Sequence, residues 1–127
     1  MRARLLIVFW LLLGLTTACA RGQNGASSLI ANLNITPSTV GENHVRIELL
    51  DSTNAHVIGA EVKMIANMNH AGMQPSSASL TETAPGIYEG TIELTMPGEW
   101  FAILEIARED GQTVELQVAL PEVRRGE

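Results

Sequence analysis

Met64, Met68, His70 and Met73 fall in one ten-residue window, Met-Ile-Ala-Asn-Met-Asn-His-Ala-Gly-Met. The chain has five methionines; one stands at position 1, and three of the other four are here. A thioether is a soft, uncharged ligand. Joined by an imidazole, it makes a donor set suited to copper, above all Cu(I), and poor for Mg²⁺ or Ca²⁺. It has no proton to lose on binding and forms no disulfide, although it oxidises to a sulfoxide. The imidazole must be neutral to bind, so its contribution falls below a pH near its ordinary pKa of about 6.5. The competing reading is packing, because methionine is also an adaptable filler of cores.

The element that carries these residues decides whether they meet. In an extended strand over Val62 to His70, side chains alternate, so Val62, Met64, Ala66, Met68 and His70 share a face. Neighbours on that face stand about 6.6 Å apart at about 3.3 Å per residue. Met68 and His70 are then joint ligands at a strand end. Ala71-Gly72 permits a turn that swings Met73 back toward them. Met64, deeper in the strand, is read as core. A helix would align Met64 with Met68 but send His70 elsewhere.

The surrounding pattern is period two throughout. Val45, Ile47 and Leu49 alternate with polar residues, as do Tyr88, Gly90, Ile92 and Leu94. Trp100, Ala102, Leu104 and Ile106 share one face, and so do Val114, Leu116, Val118 and Leu120. Ser77 to Glu82 is a shorter, polar strand. Turn formers separate the runs at Pro37, residues 51–54, Ala71-Gly72, Pro85-Gly86, Pro97-Gly98 and residues 109–111. The expected fold is all-β: an immunoglobulin-like antiparallel sandwich of about seven strands, with Trp100 as the large core aromatic.

The N-terminus reads as an export signal. Arg2 and Arg4 precede an apolar run from Leu5 to Leu15, too short for a comfortable membrane span of about 20 residues. It predicts a signal or anchor helix ahead of the sandwich. The exit Thr16-Thr17-Ala18-Cys19-Ala20 resembles a bacterial lipoprotein lipobox, without the usual leucine three residues before the cysteine. Cys19 is the sole cysteine, with no partner for a disulfide, which favours its lipidation. Cleavage after Ala20 as an A-x-A site is the alternative and would release a secreted domain. Either route puts the folded part outside the cytoplasm, in the periplasm or at the cell surface. The expected organisation is a signal over 1–19, a flexible tether over 20–30, a domain over 31–121 and a solvated tail over 122–127. Loss of the two leading arginines leaves six basic against fourteen acidic side chains. That balance argues against nucleic acid or an anionic lipid surface as partner. No paired-carboxylate pattern, Ser–His–Asp arrangement or phosphate-binding glycine loop is visible, so no enzymatic activity is expected.

Residues 41–51, Gly41-Glu42-Asn43-His44-Val45-Arg46-Ile47-Glu48-Leu49-Leu50-Asp51, resemble the entry strand of YtkA-like domains. Ala55-His56-Val57-Ile58-Gly59-Ala60-Glu61-Val62 resembles the strand that follows. Met68 to Met73 occupies the place of that family's Met/His-containing stretch. Pro85-Gly86-Ile87-Tyr88-Glu89-Gly90 is similar to its P-G-x-Y hairpin, and Met96-Pro97-Gly98-Glu99-Trp100 to its M-x-G-x-W step. The likeness runs from about Asn34 to Leu120. It implies an immunoglobulin-like extracytoplasmic domain, often lipid-anchored, similar in architecture to CopC-like copper-resistance domains and to FixH-type proteins of oxidase assembly. The implied role is a copper accessory or chaperone with Met68, His70, Met73 and Met96 as ligands, passing Cu(I) to a partner such as a respiratory oxidase. The N-terminal histidine of CopC-like Cu(II) sites has no counterpart, which favours Cu(I). His44 and His56 lack soft neighbours and are read as solvated. The rival expectation is a metal-free sandwich that docks onto a membrane-associated complex.

Overall fold

The computed structural model describes residues 28–126, and the predicted signal helix and Cys19 lie outside them. Seven strands follow one another: β1 (Ile30–Thr36), β2 (Gly41–Leu50), β3 (Glu61–Asn67), β4 (Ser76–Ala84), β5 (Ile87–Leu94), β6 (Phe101–Ala107) and β7 (Thr113–Ala119). All pairings are antiparallel, in the order β1-β2-β5-β4-β3-β6-β7. The expected immunoglobulin-like sandwich is therefore present. The two ends of the order, β1 and β7, touch.

One strand belongs to both layers. The first half of β4 pairs with β3, from Ser76 opposite Ala66 to Leu80 opposite Val62. Its second half pairs with β5, from Thr81 opposite Glu89 to Ala84 opposite Ile87, with a bulge between Glu82 and Ala84. The crossing passes close over Gly90. A Cβ there would stand 2.8 Å from Leu80 Cδ2 and 3.2 Å from the Ser79 carbonyl oxygen. The missing side chain lets the backbones approach where the strand changes layer.

Alternation builds the core. Val45, Ile47 and Leu49 of β2 and Tyr88, Ile92 and Leu94 of β5 point inward from one layer. Val62, Met64 and Ala66 of β3 and Ala102, Leu104 and Ile106 of β6 meet them from the other. Burying each large aliphatic side chain contributes about 1.5–3 kcal/mol. The domain has no disulfide among its described residues, so this packing carries it. Trp100, immediately before β6, is buried, as the alternation predicted.

Two polar side chains brace the loops. Asn43, inside the core boundary, donates to the carbonyls of Thr39 (2.7 Å) and Gly41 (2.9 Å) and accepts from Thr39 N–H (3.1 Å). The Tyr88 hydroxyl donates to the Val57 carbonyl (2.8 Å) and accepts from Ala60 N–H (3.1 Å), fixing the approach to β3. Burial raises the pKa of that hydroxyl above its ordinary value.

Both ends of the fold reach further than the alternation indicated. Leu29 is buried and β1 starts at Ile30, so the last residues assigned to the tether are part of the sandwich. The stretch expected as a solvated tail is docked through Arg124. Val123 is 1% exposed and exchanges two 2.9 Å hydrogen bonds with Gly98. Arg124 N–H donates to the Ser38 carbonyl, and its own carbonyl accepts from Val40 N–H. The Ser38 hydroxyl adds a bond to the Glu122 carbonyl at 3.1 Å. A single valine carries no period, which is why this seam was invisible to patterning.

Candidate functional site

The end of β3 sets the site. Val62, Met64, Ala66 and Met68 are all buried, so the inward face continues one residue past the last strand position at Asn67. The Asn67 side chain accepts from Met68 N–H at 3.0 Å, turning the chain out of the ladder. His70 consequently lies beyond the strand and is exposed, so it does not share the Met68 face as an extended run to residue 70 would require. Met73 returns from the turn at Gly72 and packs, half-buried, against the core. Met64 is fully buried.

Met96 arrives from the β5–β6 connection. It is 45% exposed, and its carbonyl accepts from Trp100 Nε1–H at 2.9 Å, which closes the Met96–Trp100 turn. Gly98 within that turn has φ +127°, a conformation L side chains rarely adopt. The Met68 methyl sits 2.9 Å from the position a Gly98 Cβ would occupy. The β3–β4 loop and the Met96 turn are thus in contact at one corner of the sandwich, with Met68 as the inner sulfur. Gly98 and the docked Val123 behind it are parts of this corner that residue spacing did not reveal. The M-x-G-x-W likeness was the one signal that pointed there.

The other histidines are directed elsewhere. His44 Nε2 lies 3.6 Å from Glu89 Oε1 on the outer face of β2 and β5. His56 Nε2 lies 3.8 Å from Glu48 Oε1, in the connection that precedes β3, at the opposite end of that strand from Met68. Among the described residues, no group of three or more His, Cys, Asp or Glu side chains is placed to hold a metal. The corner carries thioethers and His70, with the exposed Glu99 in the same turn as Met96. Thioether and imidazole donors suit a soft ion better than a hard one. Beside the corner opens a cleft of about 350 Å³ floored by Trp100, Phe101 and Leu120.

Fold and corner together define a single immunoglobulin-like β-sandwich with a thioether-rich end. A family model described as YtkA-like matches residues 24–105, and the chain belongs to that family. The match spans β1 to β5 and most of β6, and includes all four methionine and histidine positions of the corner. Neither curated proteins nor solved structures give a match.

Proposed function

We propose that this protein is an extracytoplasmic copper-binding accessory domain that takes Cu(I) as cargo through Met68, His70, Met73 and Met96. Membership of the YtkA-like family supports a copper-related extracytoplasmic role. The observation that supports the site is the approach of the Met68 methyl to Gly98, which joins the end of β3 to the turn that carries Met96. In this reading Met96 and His70 receive the ion at the surface, and Met73 and Met68 supply sulfur from the core side. The cargo requires no deprotonation of the thioethers and would leave to a stronger acceptor such as an oxidase centre. The domain binds and delivers; it does not catalyse. Lipidation at Cys19 would hold it at the membrane.

The test is a Cu(I) titration against a colorimetric chelator under reducing conditions. Met68→Leu, Met73→Leu and Met96→Leu keep volume while removing sulfur, so packing is nearly retained. Loss of affinity by about tenfold or more in the Met73→Leu/Met96→Leu variant is expected, equivalent to about 1.4 kcal/mol or more of binding free energy. Equal affinity in the variant and the parent would refute the site. The second reading, a metal-free docking module, is favoured by a partly apolar outer sheet face next to the corner.

A further inference from the structure

The outward side chains of β3, β6 and β7 divide into two halves. Toward the start of β3 the cross-strand row is charged: Lys63 stands opposite Glu105, and Glu105 opposite Glu115. Toward its end the rows turn mostly apolar: Ile65 stands opposite Ile103, and Phe101 opposite Ala119, with Gln117 beyond Ile103 and Asn67 beyond Phe101 as the two polar positions. None of the four apolar side chains is in the core. Ala119 is exposed, and the other three are partly exposed on the face opposite the buried Ala102 and Leu104. The apolar half runs directly into the cleft floored by Trp100 and Leu120, whose rim carries Asn69, Glu99 and Glu122, all exposed. No lysine or arginine lines that cleft.

We infer that this apolar half-sheet, bounded by Glu99 and Glu122, is the docking face for a protein partner that presents an apolar segment flanked by basic side chains. The apolar floor supplies affinity through area removed from water. The two rim carboxylates supply selection, because complementary charge steers the encounter and like charge penalises it. A second copy of the chain is disfavoured by the same charges. A two-fold contact would set the carboxylates of one copy against those of its mate. An anionic lipid surface is disfavoured for the same reason, against a chain of formal net charge −6. Asn69 places the face one residue from Met68 and His70, so a docked partner would border the corner. The inference needs no metal and stands or falls apart from the copper reading.

The experiment follows backbone amide shifts of the ¹⁵N-labelled full chain, without copper, during titration with a synthetic peptide. The probe is a six-residue segment of alternating valine and phenylalanine flanked by lysines; its counterpart carries glutamates at the flanks. The lysine-flanked probe is expected to shift Asn69, Phe101, Ala119 and Glu122 and to bind about tenfold more tightly than the glutamate-flanked one. Glu99→Lys/Glu122→Lys, at two exposed positions, is expected to reverse that preference while leaving the melting temperature in place. Equal binding of both probes, shifts confined to another face, or no shift at millimolar peptide would overturn the proposal. So would self-association in sedimentation equilibrium, or perturbation of the same amides by phosphatidylglycerol vesicles.

Discussion

The Met68 methyl lies 2.9 Å from where a Cβ on Gly98 would stand, so the inner sulfur-bearing side chain fills the space that one glycine leaves open. Gly98→Ala must both bear an unfavourable φ of +127° and displace that methyl. A cost of about 1–3 kcal/mol is expected in urea unfolding. Shortening Met68 to valine in the same chain removes the clash but not the backbone strain. The pair should therefore be less destabilised than the sum of the single variants, and simple additivity would show that the two residues do not interfere.

Met96 separates binding from stability. Its side chain is nearly half exposed and leucine matches its volume, so Met96→Leu should change unfolding free energy by no more than about 0.5 kcal/mol. Under the proposed function it should nevertheless weaken Cu(I) binding measurably. A variant with unchanged stability and unchanged copper affinity would remove Met96 from the ligand set.

Tyr88→Phe deletes one hydroxyl that both donates and accepts. The Val57 carbonyl and the Ala60 N–H then lose their shared partner beneath the β2–β3 connection. A loss of about 1–3 kcal/mol is expected, with faster hydrogen exchange at Ala60. Slow exchange at Ala60 in the variant would contradict the bracing role.

Acid sensitivity has two named sources. Glu82 is held below its ordinary pKa of 4.5, chiefly by Gly86 N–H, with Gly59 N–H contributing. Asp51 is held below its ordinary 3.8, first by the Thr53 hydroxyl and then by the N–H groups of Thr53 and Ala55. A carboxylate with a depressed folded pKa contributes stability that is fully present above its unfolded pKa. That stability is lost as pH falls through the folded one. Thermal melts should therefore hold between pH 7 and about 5 and decline below about 4.5. Glu82→Gln should flatten that decline, and a parallel acid limb would exclude Glu82 as a source.

Removing residues 122–127 tests the docked seam. The truncation strips Val123 from the core and the backbone bonds that reach Gly98, Ser38 and Val40. A loss of about 2–4 kcal/mol follows from one buried aliphatic side chain and several hydrogen bonds. An unchanged urea midpoint would show that the seam contributes nothing.

The strands were legible because each buries one face. Val45-Ile47-Leu49 and Ala102-Leu104-Ile106 announce their inward side by alternation alone, and both are buried as that pattern requires. Met64 was readable as core for the same reason. What period two cannot convey is where a ladder stops. Asn67 ends β3 by bonding its own neighbour's N–H, and that local event sends His70 outward when strict alternation would have kept it beside Met68. Pairings between residues far apart in the chain were equally silent. Val123 against Gly98 and Arg124 against Ser38 depend on where β7 delivers the chain, which no single segment encodes.

Because β4 is hydrogen-bonded to β3 on one side of Leu80 and to β5 on the other, neither layer can come apart without tearing a strand it shares with its neighbour. The shared strand predicts that the domain opens as one cooperative unit. Amides of β2 and β5 should open to solvent with the same free energy as those of β3 and β6, and a ligand that steadies the corner at Met68 should slow exchange as far away as β1.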